Sequence, residues 1–119
     1  MSYLVTPFEV SSKALAGPVQ VRFVHLLSGI ATRHSDTIDV WFRVNGQKVT
    51  VAISSAVLTE LREREGKYLT DQQLADVAAL HLRRTLERGY DPTAAELFLD
   101  GPELRALVRE LGYLKNAGQ

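Results

Sequence analysis

Three histidines, His25, His34 and His81, are the side chains best suited to move a proton or bind a metal near neutral pH. Either task needs a partner to orient the imidazole. Around His81 the helical neighbours three and four residues away are Val77, Ala78, Arg84 and Thr85, and none is a carboxylate. His81 therefore reads as a histidine at the edge of the core, satisfied by a backbone carbonyl. His25 falls by alternation on the inward face of a strand. A metal held between His25 and His81 would lack an evident third ligand.

His34 belongs to the densest polar cluster, Arg33-His34-Ser35-Asp36. Serine, histidine and aspartate together invite a hydrolase reading. A triad, however, is assembled from separate rigid elements beside an oxyanion hole, not from neighbours in one loop. Contiguity favours a solvated connector, with Asp36 a turn residue. Zero cysteines exclude disulfides, thiolate nucleophiles and cysteine-ligated metal or iron–sulfur sites. Glycine-rich phosphate loops, His-x-x-x-His pairs and nucleophile elbows are absent too. No catalytic residue, no metal ligand and no cofactor site is expected.

What remains is binding chemistry. Trp41 alternates with Asp39 and Arg43, and shares with Arg22 and Thr50 the face opposite a strand's apolar one. Tryptophan beside arginine suits an interface hot spot or a base-stacking platform. Equally, the apolar N-terminal arm or a helix could cover it. Leu80 falls on the polar side of its helix and adds apolar surface beyond a monomer's need. Arg83, Arg84 and Arg88 make a basic ridge on that helix, diluted by Asp76 and Glu87.

The elements that must position these groups are legible in part. Residues 1–18, with Pro7, Gly17 and Pro18 among five sizeable apolar side chains, read as an extended arm. Val19, Val21, Phe23, His25 and Leu27 alternate as one strand face. Asn45-Gly46 is a strong hairpin signal, because a type I′ turn needs positive φ at both central residues. Centring the turn there predicts the pairs Val44–Gln47, Arg43–Lys48, Phe42–Val49, Trp41–Thr50, Val40–Val51, Asp39–Ala52 and Ile38–Ile53. Three apolar pairs then share one face, and a slip of one residue would scatter them.

Ser54 or Ser55 caps a helix reaching about Glu65, with Val57, Leu58 and Leu61 inward and Gly66 stopping it. Thr70 and Gln73 form a capping box for a second helix to Arg88. The Gly66–Leu69 link gives the pair a superficial helix-turn-helix spacing, yet Asp71 would meet phosphates at the second helix's start. Glu96 to Leu99 fits either a short strand or a helical turn. Pro102 opens a last helix with Leu104, Leu107, Val108 and Leu111 inward. The order hairpin, serine cap, helix, link, helix resembles small bacterial domains, a likeness that implies no activity.

At 119 residues, 45% hydrophobic and 24% charged, the chain has the composition of one ordinary globular domain. Fourteen basic and fourteen acidic residues leave zero formal charge. That excludes a strongly basic body gripping phosphates by charge alone. With no basic, apolar leader at Met1-Ser2-Tyr3-Leu4, a cytoplasmic location is expected.

These observations predict a single α+β domain over residues 1–119: the arm, antiparallel strands over 19–53, and a mainly helical part over 54–112. The sheet is expected to be three-stranded and antiparallel, with room for a short fourth strand, and helices on one face. The leading functional expectation is a non-enzymatic, self-associating interaction module, a homodimer or a partner of another protein, using Trp41, Arg43, Arg22, Leu80 and Arg84. A nucleic-acid-binding accessory protein using Arg22, Arg43, Lys48 and the arginine ridge is the alternative. A histidine-based enzyme has least support, and no membrane partner is expected.

Overall fold

In a computed structural model, which describes residues 7–12, 17–29, 37–66, 68–90 and 97–113, the turn at Asn45-Gly46 organises the sheet. Asn45 has φ 51° and Gly46 φ 84°, the left-handed values that a type I′ turn demands. The strands it joins, β3 (Thr37–Val44) and β4 (Gln47–Ser54), pair in the register predicted from the sequence, from Val44–Gln47 to Ile38–Ile53. Val40, Phe42, Val49, Val51 and Ile53 are all buried. The turn is also hooked to its other neighbour. Asn45 N donates to Gln20 O at 2.9 Å, and Gln20 N donates to Asn45 Oδ1 at 3.0 Å.

Five strands and three helices are present among the described residues, so the class is α+β, but the sheet is larger than the predicted three antiparallel strands. Strand order is β1-β2-β3-β4-β5, antiparallel except that β5 (Leu97–Leu99) runs parallel to β4. The two readings left open for this segment resolve as a strand. Its parallel pairing follows from the return through helices to the same edge.

The described part of the predicted arm is not an arm. Phe8–Ser12 forms β1, an edge strand paired with β2 (Gly17–Gly29). Phe8-Glu9-Val10 alternates like any half-buried strand, and Val10 is buried. The presumed breakers sit where strands tolerate them: Pro7 precedes β1, and Gly17-Pro18 opens β2. Residues 1–6 lie outside the described residues.

A second correction concerns β2. Phe23 pairs with Phe42 but His25 pairs with Trp41, so Val24 is an extra residue in a bulge. Beyond it, Leu26 rather than Leu27 stands opposite Val40 and packs against the core. Strict alternation placed His25 in the core-facing series; the bulge moves its backbone into the row of Trp41. Phe23 meets Phe42 edge-on, ring centroids 5.9 Å apart at 74°. Such pairs add roughly 0.5–1.5 kcal/mol beyond area burial.

Helix α1 (Ser55–Glu65) begins at Ser54, whose hydroxyl accepts from Ala56 N at 3.1 Å, and ends at Gly66 with φ 65°. Helix α2 (Asp71–Glu87) carries the predicted capping box. Gln73 N donates to Thr70 Oγ1 at 3.1 Å, and Thr70 N to Gln73 Oε1 at 3.0 Å. Helix α3 (Gly101–Glu110) starts from Asp100, which accepts from Glu103 N at 2.8 Å.

Leu74, Val77, Ala78, Leu82 and Leu86 of α2 join the strand side chains in one core, with Leu61, Leu104 and Val108 from the flanking helices. Leu80, predicted to be an outward apolar residue, is half-buried and packs against this core. The buried arc of α2 is wider than one stripe because sheet and α3 both pack on it. Arg105 reaches Glu60 at 2.8 Å and Tyr113 donates to Asp76 Oδ2 at 2.9 Å, tying the end of the chain to α1 and α2.

Phe42 is fully buried at the centre of the sheet. Phe42→Ala is expected to cost about 3–5 kcal/mol, the usual range for deleting a core aromatic ring. A urea titration followed by circular dichroism measures it.

Candidate functional site

Among the described residues, helices cover one face of the sheet only. On the other face, residue pairing sets side chains in rows across the strands. Nearest the turn, Arg22, Arg43 and Lys48 stand directly opposite one another on β2, β3 and β4. All three are exposed, and among the described residues none makes an ion pair. Arg43 Nη1 donates to Gly46 O at 2.9 Å. The next row holds Trp41 and Thr50, both half-buried. Lys48 Nζ lies 3.5 Å from the centre of the Trp41 ring, a cation–π contact that takes up one ring face.

The far end of the same face is closed. Thr37, Asp39 and Ala52 are buried, and Thr37 Oγ1 donates to Asp39 Oδ1 at 2.8 Å. Phe98, opposite Ala52, is 62% exposed and borders the closed region. The open part of the face is therefore its turn end. It is basic, with one aromatic ring held half out of water.

Like charges placed directly across strands are unfavourable. Arg22–Arg43 and Arg43–Lys48 are like-charged neighbours in register, with no carboxylate bridging them among the described residues. The arginine ridge of α2 differs. Arg83 lies over the Phe8 ring at 4.6 Å, and Arg84 is paired with Glu110. Of the candidate basic groups, Arg22, Arg43 and Lys48 come together with Trp41. Arg84 and Leu80 belong to a different surface.

His81 has the partner that sequence neighbours did not supply. Its Nδ1 lies 3.2 Å from Glu103 Oε2, across the seam between α2 and α3. Burial pushes the imidazole below its ordinary value, Arg88 pushes the same way, and Glu103 and Asp100 oppose them. A cleft of about 90 Å³ lies beside it, lined by Arg84, Arg88, Glu103 and Glu110 among others. His81 is itself part of that lining, and it is almost fully buried in the seam between the two helices. His34 lies outside the described residues, as do Arg33, Ser35 and Asp36, and of His25 only the backbone is described. Among the described residues no group of three or more His, Asp or Glu side chains is placed to hold a metal.

A larger groove, about 300 Å³, opens between α1 and the start of α2, lined by Leu58, Leu69, Leu74 and Tyr68. Arg62 Nη1 donates to Tyr68 Oη at 2.8 Å at its rim. Helix α2 itself is buried along most of its length, so it cannot lie in a DNA groove as a recognition helix. No described helix is long and apolar enough to cross a membrane. Compared with protein-family models, curated proteins and solved structures, the chain matches none.

The His81 shift sets a direction for stability. Its folded-state pKa is below the ordinary 6.5, so the unfolded chain takes up the proton first as pH falls. Stability should therefore drop as pH goes below about 6.5, until the folded-state value is passed. In His81→Gln that component of the pH dependence should disappear, as read from urea midpoints between pH 7.5 and 5.

Proposed function

We propose that this chain is a non-enzymatic interaction module whose docking surface is the turn end of the helix-free sheet face. The observation that carries the reading is the row Arg22–Arg43–Lys48. Three exposed cations stand side by side in strand register with no ion pair among the described residues, and Trp41 is next to them. Exposed cations that serve neither the core nor an ion pair can meet the charges of a partner.

Charge also bears on the partner. Two copies meeting on this face about a two-fold axis would set one cation row against the other. A negatively charged partner of another kind satisfies the row better than a second copy does. The enzyme reading has less support: among the described side chains the one histidine, His81, is buried in a helix seam.

The double variant Arg22→Gln/Arg43→Gln separates binding from folding. Its urea midpoint should equal or exceed that of the parent, because two repulsive contacts are relieved. Its retention on a sulfonate matrix at low salt should fall clearly. A lower midpoint would make the row structural and remove the proposal. Light scattering supplies the mass: a salt-independent dimer of the 13.2 kDa chain, retained in the double variant, would point to self-association elsewhere.

A further inference from the structure

Resting on that reading, we infer that the partner docked on this face is an acidic protein segment carrying apolar side chains, rather than a nucleic acid. Three features of the face make this choice.

The first is the state of Trp41. A nucleobase would need an open ring face to stack on. Lys48 Nζ stands over one face of the ring at 3.5 Å, so a base stacking on that face would have to displace a cation already well placed. A carboxylate needs no such displacement. It can take a hydrogen bond from Lys48 while the ammonium stays on the ring, and from Arg22 or Arg43 at the same time.

The second is extent. The row crosses three strands, so it spans only about 10 Å, two interstrand spacings. A strand of nucleotides follows a longer basic track. Among the described residues, two of the α2 arginines do not extend it: Arg83 is on the Phe8 ring and Arg84 on Glu110. The formal charge of the whole chain is zero.

The third is composition. The cations are bordered by apolar groups partly in water, the half-buried Trp41 in the next row and Val24, 47% exposed, at the bulge. Arginine and aromatic residues set against each other mark protein interfaces. A partner with carboxylates alone would make no apolar contact with the exposed Val24, so the matching segment carries Leu-like side chains among its Glu or Asp.

Trp41 is the only tryptophan, so its emission reports on this face alone. The experiment titrates the full chain with a tryptophan-free peptide in which pairs of Glu alternate with single Leu. The same peptide with Lys for Glu, and an oligothymidine of equal charge, are titrated in parallel. The acidic peptide should shift Trp41 emission in a saturable way, and the lysine peptide should not. Arg43→Gln should weaken binding about tenfold, the worth of one charge-assisted hydrogen bond. Arg64→Gln, the same charge change on α1, should leave it as it was.

Tighter binding of oligothymidine, with a log–log salt slope near −2 for about three phosphates, would overturn the protein partner but keep the docking face. Emission unmoved by either anionic probe at millimolar concentration would overturn both the partner and the face. Equal weakening by Arg43→Gln and Arg64→Gln would show that net charge, not the row, is being read, and would also overturn the inference.

Discussion

The structure depends on a conformational constraint two residues wide. Asn45 and Gly46 accept left-handed backbone angles that most side chains resist, and in doing so they set the register of β3 against β4. Register then decides which side chains share a face. With Val40, Phe42, Val49 and Val51 on one side, Trp41, Arg43, Lys48 and Thr50 are necessarily on the other. The same turn holds β2 through the pair of hydrogen bonds between Asn45 and Gln20. Core and candidate binding surface are thus two outcomes of one turn.

The bulge at Val24 modifies this plan rather than opposing it. By inserting one residue, it lets Phe23 meet Phe42 and Leu26 meet Val40, although the two apolar residues are three apart in sequence. It also places His25 in the row of Trp41. Bulges often re-aim residues beside a working surface. This one falls in the row next to Arg22, Arg43 and Lys48.

Opposite the binding face, the helices complete the core in a way no single helix could. Helix α2 lies between the sheet and α3, which is why Leu80 and His81 are drawn inward from positions that a single stripe would leave at the edge. Glu103 and Arg84 with Glu110 close the α2–α3 seam, while Arg105 with Glu60 joins α3 to α1. Arg83 on that side is engaged by a ring, and Arg84 and Arg105 by carboxylates, whereas Arg22 and Arg43 on the sheet have no ion pair among the described residues.

Local chemistry was sufficient for much of this. The hairpin, its seven pairs, the Ser54 cap, the Thr70–Gln73 capping box and the glycine stop at Gly66 are all decided by residues within a few positions of one another. For the same reason the placement of Trp41 beside Arg43 and opposite the core was readable in advance. Other features depended on distant partners. That Phe8–Ser12 is a strand requires β2 as its neighbour, and that Leu97–Leu99 is a parallel one requires β4. The shift of apolar phase from Phe23 to Leu26 was a visible sign of the bulge, but only Phe42 and Val40 opposite them give it meaning. His81 found Glu103 more than twenty residues away, and Arg22, Arg43 and Lys48 became a row only when three strands aligned. Short-range geometry is encoded in adjacent residues, whereas charge clusters and buried pairs arise from packing, where partners are chosen by the whole chain.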